Sequence, residues 1–247
     1  MEHFFVELKE LRGAFVRIFG AFFVLAFFFL SVPIFSGSIS VSERAIIQVQ
    51  HDLVPSRVSL IALTPLDPFM ARMAVAGTLA FLSVLPLFVF ELWMYVRVGL
   101  YARERRLFGI LMGAGVLLFI AGVWFAYMLL IPLTFSALYK FTPMGSVPFF
   151  SLRELVSLVS GLAVLTGCLF ELPIVMIVLS SLQIVKSHLW GKYARYALAI
   201  LLVFSAIITP DGSGISMILL ALPLFLAYGA GWLGSKLFTS KSPLAYP

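Results

Sequence analysis

The chain has 247 residues, of which 62% are hydrophobic and only 11% are charged. Because a soluble domain carries roughly a quarter charged residues, this composition excludes an ordinary soluble protein and predicts an integral membrane protein. The apolar runs are far longer than the roughly ten-residue alternating segments of a membrane barrel, so the predicted fold class is all-α. The net charge is +6, and in a membrane protein its location indicates orientation rather than nucleic-acid binding.

The N-terminal segment predicts a short amphipathic helix that ends near Arg12 and precedes the first membrane span. Its apolar residues recur at helical spacing along one stripe: Phe4, Leu8, Leu11 and Phe15. Arg17 lies near the start of the first span, where its side chain can snorkel toward the headgroups. The longest polar segment, 36–68, is predicted to be an extracytoplasmic loop or small cap, and the proline-aspartate pattern at its end marks a helix start.

Six apolar runs are predicted to cross the bilayer, for which about 20 residues suffice. The second run contains Pro86 and Glu91, and the fifth has only 16 residues, so it is short for a span. Together they are predicted to form a single transmembrane domain over residues 1–247. The predicted spans are 13–35, 69–98, 107–139, 151–182, 193–208 and 215–238.

Glu171 is the acid that the fourth run places within the thickness of the membrane. A carboxylate there costs several kcal/mol unless it is protonated, paired or facing water. Pro173 follows two residues later and favours a kink, because it removes a backbone donor. Two interpretations remain open: a role in a polar cavity or partner contact, and a neutral acid hydrogen-bonded to a neighbouring helix.

The distribution of basic residues predicts the orientation. Of the 17 lysines and arginines, the five on the side opposite the termini are Arg44, Arg57, Arg72, Lys140 and Arg153. Because cytoplasmic loops carry the excess of basic residues, both termini are predicted to be cytoplasmic. The same assignment places Glu10 and Glu104 on the cytoplasmic face and Glu171 in the half of the membrane nearer to it.

Several short motifs occur in one order along the whole chain. They are Glu10-Leu11-Arg12; Thr64-Pro65 with Pro68-Phe69; Pro86 with Phe90-Glu91-Leu92-Trp93; Gly99-Leu100-Tyr101 with Glu104-Arg105; Gly122 with Phe125-Ala126-Tyr127 and Pro132; Phe170-Glu171-Leu172-Pro173; and Thr209-Pro210-Asp211 with Leu220-Ala221-Leu222-Pro223-Leu224. With this order and a six-span layout, the sequence resembles the C subunit of the twin-arginine protein translocase (TatC). The resemblance implies six helices in a concave bundle and a receptor for signals that carry two consecutive arginines.

The resemblance also implies which residues act. Its signal-peptide-binding positions match Glu10, Arg12, Tyr95, Glu104 and Arg105. Glu171 matches the family's intramembrane acid, and partner contacts fall at Thr209, Asp211 and Met217. For Tyr95, an interfacial tyrosine of the aromatic belt is an equally open interpretation. The chain departs from the family pattern at Glu7, Ala14, Leu155 and Gly229.

The family works in the cytoplasmic (inner) membrane with single-span partners of the TatA and TatB type and uses the proton motive force. A homo-oligomeric receptor complex, contact with membrane lipid and no cofactor are expected. The sequence has no Gly-rich phosphate-binding loop with lysine, and no enzymatic activity is expected. One alternative is a proton-coupled small-molecule permease with Glu171 as the coupling site, and another is a structural scaffold. A permease predicts solute uptake into vesicles, whereas a receptor predicts binding of an arginine-pair peptide.

Overall fold

The computed structural model describes residues 2–31, 39–53, 59–96, 102–140, 149–208 and 214–239. Within these ranges the chain is helical apart from short connections and two three-residue strands. The helices are α1 (Glu2–Ser31), α2 (Val41–Leu53), α3 (Asp67–Val96), α4 (Ala102–Phe125), α5 (Ile131–Lys140), α6 (Leu152–Phe170), α7 (Leu172–Ser181), α8 (Ser187–Lys192), α9 (Ala194–Ile208) and α10 (Ile215–Thr239), and a π-helical turn, Ala126–Leu130, joins α4 to α5.

Five helical segments among the described residues are long and apolar enough to cross a membrane. They are Arg12–Ser31, Asp67–Met94, Phe108–Tyr139, Leu152–Ser181 and Ser216–Leu237, and Ala194–Ile208 is a shorter apolar helix. The prediction of an all-α integral membrane protein is therefore confirmed. The number of six spans, the concave arrangement and the cytoplasmic termini stay predictions.

The N-terminal helix differs from the sequence prediction. A separate amphipathic helix up to Arg12 was expected, but α1 continues without a break from Glu2 to Ser31. No proline interrupts this stretch, and its two glycines, Gly13 and Gly20, do not end a helix whose other residues have ordinary helical propensity. The predicted end of the first span, at residue 35, lies outside the described residues.

The predicted loop over 36–68 contains regular structure in its described parts. Helix α2 lies within it, and strand β1 (Ser59–Ile61) pairs in parallel with β2 (Phe149–Ser151). The sequence did not predict this strand pairing, because each strand has only three residues and too short a pattern to be recognised. The pairing ties the segment before α3 to the segment before α6.

The chain forms two compact units. The first comprises Met1–Arg105 and Pro143–Gly161, and the second comprises Arg106–Thr142 and Leu162–Pro247. In the first unit α1 packs along α3, and α2 contacts both. In the second, α10 packs along α7 and contacts α8 and α9, and its apolar core includes Leu111, Ile174 and Ile177.

Helix α3 begins at Asp67, as the proline-aspartate pattern predicts. The Asp67 carboxylate accepts hydrogen bonds from the backbone N–H groups of Leu63 and Thr64 at 2.8 and 2.9 Å, and from the Thr64 hydroxyl at 2.8 Å. This side chain therefore closes the turn that leads from β1 into α3. Farther along, α3 continues through Pro86 rather than stopping there.

We expect Asp67→Ala to lower the melting temperature of the detergent-purified protein by about 3–6 °C, because three donors at the turn lose their acceptor. Asp67→Asn should lose less, since its amide oxygen still accepts. Asp52→Ala is the control, because Asp52 is exposed at the end of α2. Equal losses for Asp67→Ala and Asp52→Ala would contradict this role.

Candidate functional site

An ion pair joins the two long helices of the first unit. The guanidinium of Arg17 donates from Nε to Glu91 Oε1 at 2.6 Å and from a terminal nitrogen to Oε2 at 2.7 Å. The Glu91 side chain is 10% exposed and that of Arg17 is 60% exposed. Both residues belong to helical segments that are apolar enough to span a membrane. Arg17, which was expected to snorkel, is instead the bidentate partner of a buried carboxylate.

The ion pair fixes the direction of α1 relative to α3. Glu43, in the first turn of α2, lies 2.8 Å from Arg72 near the start of α3, and α2 also contacts α1. Arg17 meets Glu91 near the opposite end of α3. The two helices are therefore antiparallel, with the N-terminal part of α1 beside the C-terminal part of α3.

This arrangement places two of the sequence-predicted positions on one side of the ion pair. Glu10 precedes Arg17 by seven residues, which is about 10 Å along a helix, and Tyr95 follows Glu91 by four residues, which is about 6 Å. Glu104 follows at the start of α4, which begins at Ala102 in the same compact unit. The geometry thus brings the backbones of α1 and α3 together at the end that carries these residues.

The other predicted positions are described to different extents. Arg12 on α1 and Arg105 on α4 have exposed side chains, and Met217 on α10 is half-buried. The side chains of Glu10, Tyr95 and Glu104 lie outside the described residues, as do Thr209 and Asp211 entirely.

Glu171 occupies the turn between α6 and α7. Its backbone N–H donates to the Cys168 carbonyl at 3.2 Å, and its carbonyl accepts from the Val175 N–H at 3.1 Å. Pro173, within the first turn of α7, has no N–H to continue the hydrogen-bond ladder from α6. The helix assignment is interrupted at Glu171, the residue between α6 and α7, and a kink there stays a prediction.

The Glu171 carboxylate lies against the α4 backbone at Gly115, which has no side chain. A Cβ added to Gly115 would lie 2.9 Å from Glu171 Oε2 and 3.5 Å from Oε1. Oε1 is buried and has no hydrogen-bond partner among the described residues. Glycine at position 115 therefore provides the space that the carboxylate occupies, and one carboxylate oxygen keeps its full capacity to accept a hydrogen bond.

Close contact between α4 and α6 holds the turn in place. A Cβ on Gly122 would approach the Phe170 Cβ to 2.9 Å and the Gly167 Cα to 3.0 Å, and a Cβ on Gly167 would approach the Phe119 ring to 2.9 Å. These two glycines let the helix backbones touch. Phe125 and Phe170 add a ring contact with centroids 5.6 Å apart. Because Glu171 directly follows Phe170, this packing fixes the start of the turn.

Sequence reasoning missed the role of Glu91 and of Gly115. A signal for the first was present, because Arg17 and Glu91 are opposite charges near the ends of two runs that are predicted to share one side. The sequence contains no comparable signal for Gly115, which belongs to a run of three small residues on α4, Gly113-Ala114-Gly115. Among the described residues, no group of three His, Cys, Asp or Glu side chains comes together as a metal site.

These features define a helical membrane protein of several spans, whose described residues include an ion pair between two spanning helices and an intramembrane acid with an unpartnered oxygen. The family model of the Sec-independent protein translocase protein (TatC) matches residues 7–223. The chain therefore belongs to the TatC family, as the sequence motifs predict.

Individual relatives agree with this assignment. The Sec-independent protein translocase protein TatC of Aquifex aeolicus is 32% identical over 186 residues, which is 74% of this chain and 77% of the relative. The TatC protein of Cenarchaeum symbiosum is 34% identical over 180 residues, 72% of this chain and 68% of the relative. A crystal structure described as the twin arginine translocase receptor TatC superposes with a TM-score of 0.78 at 27% identity, covering 94% of this chain and 99% of that one.

Proposed function

We propose that this chain is the twin-arginine signal-peptide receptor and a core subunit of a translocase that exports folded proteins across the cytoplasmic membrane with the proton motive force. Membership of the TatC family identifies a protein translocase subunit. The receptor role is supported by the likeness to a protein described as the twin arginine translocase receptor. The sequence has no Gly-rich phosphate-binding loop with lysine, which favours the proton motive force over ATP as the energy source.

The observation that carries the receptor proposal is the antiparallel packing of α1 and α3 about the Arg17–Glu91 pair. It brings the helix ends that carry Glu10 and Tyr95 to one side of the pair, and Glu104 and Arg105 follow in the same compact unit. By the distribution of basic residues, this end faces the cytoplasm. A signal peptide arriving there meets acids on an otherwise basic face.

Carboxylates at Glu10 and Glu104 have the chemistry to select arginine. A guanidinium offers a planar fork of donors that a carboxylate accepts in bidentate fashion, and the ammonium of lysine does not reproduce that geometry. Arg12 and Arg105 stand in the same motifs and have exposed side chains, and we propose that they contribute to signal-peptide binding. We propose that Tyr95, at the end of α3, also contributes to signal-peptide binding.

Glu171 and the C-terminal spans complete the proposal. The buried, unpartnered Oε1 of Glu171 supports a polar site within the membrane that accepts a hydrogen bond from water or a partner side chain. Single-span partners of the TatA and TatB type are proposed to contact Thr209, Asp211 and Met217 around the start of α10. Both termini are placed in the cytoplasm, and several copies of the chain assemble in the receptor complex.

Binding of a fluorescent signal peptide to the detergent-purified protein tests the receptor role, with the Arg-Arg peptide compared with its Lys-Lys form. We expect the Lys-Lys peptide, Glu10→Ala and Glu104→Ala each to weaken binding about tenfold or more, because each removes a charge-assisted hydrogen bond. Melting temperatures should change little, since both acids are predicted to face the cytoplasm and the signal peptide.

Glu154→Ala is the matched control, because Glu154 is an exposed acid at the start of α6 on the side predicted to be extracytoplasmic. It should leave the affinity for the Arg-Arg peptide unchanged. Equal affinity for both peptides, or an equal loss with Glu154→Ala, would overturn the assignment of Glu10 and Glu104. Solute uptake into vesicles that depends on Glu171 would instead support a permease.

A further inference from the structure

Hydrogen bonds join the end of α7, the short helix α8 and α10 in the second unit. The Trp190 indole on α8 donates to the Ser180 hydroxyl at the end of α7 at 2.8 Å. The Tyr228 hydroxyl on α10 donates to the Trp190 carbonyl at 2.7 Å. Because α7 ends at Ser181 and α9 begins at Ala194, this junction lies at the connection between α7 and α9, on the side of the membrane that is predicted to be cytoplasmic.

A glycine lets α10 pack closely on α8 beside this junction. A Cβ on Gly191 would lie 2.5 Å from the Trp232 ring, so the ring packs directly on the α8 backbone. The Lys236 Nζ lies 4.0 Å from the centroid of the same ring, a cation–π contact that orders its ammonium. Lys192 is the next residue after Gly191, so the same indole contacts the Lys236 side chain and the α8 backbone adjacent to Lys192.

The start of α9 adds an arginine and two tyrosines. The Arg195 guanidinium lies 4.8 Å from the ring centroid of Tyr196 and donates to its hydroxyl at 3.0 Å. The Lys192 Nζ lies 5.4 Å from the Tyr193 ring. Both tyrosines are about half exposed. Lys192, Arg195 and Lys236, here called the basic cluster, thus stand among aromatic rings of the kind found at membrane interfaces.

The described residues from Leu172 onward contain no acid that could neutralise the basic cluster. From Leu172 to the C-terminus the sequence contains one acid, Asp211. It follows the opposite end of α9, whose 15 residues rise about 22 Å. Lys186, which is exposed before α8, raises the positive charge further. Three cations on adjoining helix ends, with no acid among the described residues from Leu172 to Thr239, favour an anion from outside the protein.

An exposed apolar stripe extends along α9 from the basic cluster. Tyr196, Ile200, Val203 and Ile207 recur at spacings of four, three and four residues and are 53%, 55%, 57% and 74% exposed. These spacings place them on one face of the helix. The stripe thus begins at Tyr196, whose ring contacts Arg195, and continues toward the hydrocarbon core of the bilayer.

We infer that the basic cluster binds the phosphate headgroup of an anionic phospholipid whose acyl chains lie along the α9 stripe. The cations contact the phosphodiester oxygens, and the tyrosine hydroxyls lie at headgroup depth. The apolar stripe directly beneath the cations distinguishes a membrane lipid from a soluble phosphate or an acidic protein segment, neither of which has chains to cover it. The inference does not depend on the signal-receptor role.

Native mass spectrometry of the detergent-purified protein tests the inference with added phosphatidylglycerol and with phosphatidylcholine of identical acyl chains. We expect phosphatidylglycerol to be retained about tenfold more than phosphatidylcholine and to raise the melting temperature more. The triple variant Lys192→Gln, Arg195→Gln, Lys236→Gln should lose this preference. Arg195→Gln alone should reduce it partly, which keeps the test decisive if the triple variant does not fold.

Arg153→Gln is the control, because Arg153 is an exposed cation at the start of α6, and it should keep the preference. Equal retention of both lipids by the native protein, or an unchanged preference in the triple variant, would overturn the site. So would stabilisation by inorganic phosphate as large as that by phosphatidylglycerol. A triple variant that keeps the lipid preference but loses a protein partner would assign the cluster to that partner instead.

Discussion

Arg17→Met is expected to lower the melting temperature of the protein by about 5–10 °C, because it leaves a buried carboxylate without its partner inside a spanning helix. Glu91 is 10% exposed and receives both of its short hydrogen bonds from Arg17. Without the guanidinium, Glu91 must take up a proton or draw in water, and each costs free energy. Glu91→Gln should be milder, since an amide oxygen still accepts from Arg17.

The double variant Arg17→Met, Glu91→Met tests whether stability depends on the ion pair itself or on each side chain separately. An apolar pair of similar size often replaces a buried ion pair without loss, so the double variant should regain most of the stability lost by Arg17→Met. Arg12→Met is the control for the loss of a cation on α1, because Arg12 is exposed. A double variant as unstable as the sum of its single variants would contradict the pairing.

The same variants distinguish positioning from direct recognition. If the pair only holds α1 beside α3, affinity for the Arg-Arg peptide should fall in Arg17→Met and recover in the double variant. If Glu91 itself bound the peptide's arginine, the double variant would stay defective although its stability had recovered. The proposal that Glu10 and Glu104 contact the peptide requires the first result.

The sequence predicted the all-α membrane fold because hydropathy is a local property of each segment. Runs of more than 20 apolar residues must cross the bilayer as helices whatever their neighbours are. The residues that start a helix are also recognised from local sequence. The prolines and the aspartate therefore predicted that α3 begins at Asp67. Resemblance to TatC rested on short motifs in a fixed order, and the family model agrees with it over residues 7–223.

The site could be predicted only in part, because its geometry depends on which helices pack and in which register. Arg17 and Glu91 are separated by 74 residues, and no local pattern says that α1 lies against α3. Likewise, Glu171 was recognisable as an intramembrane acid, but the helix surface that it contacts was not. The β1–β2 pairing was missed for the same reason, since three-residue strands carry too little periodic pattern to be found.

Gly115→Ala is expected to reduce transport of a twin-arginine cargo by about tenfold or more, because the added methyl group displaces the intramembrane carboxyl from its position against α4. The new methyl group would stand 2.9 Å from Glu171 Oε2, which is too close for the present side-chain position. Stability should not fall, since alanine favours a helix over glycine by about 1 kcal/mol. Transport into inverted membrane vesicles and thermal melting of the purified protein measure the two effects separately.

Gly113→Ala is the matched control, because nothing lies within 4 Å of a Cβ at Gly113 on the same helix. Adding Glu171→Asp to Gly115→Ala should restore part of the transport, since the shorter acid withdraws its carboxylate from the added methyl group.

Glu171→Leu should abolish transport, whereas Glu171→Gln keeps an acceptor oxygen and should retain some. Unimpaired transport by Gly115→Ala would show that Glu171 acts from another position, and the unpartnered Oε1 would then have no part in export. A loss that Glu171→Asp reverses would instead mean that export depends on where the carboxyl lies as well as on its presence.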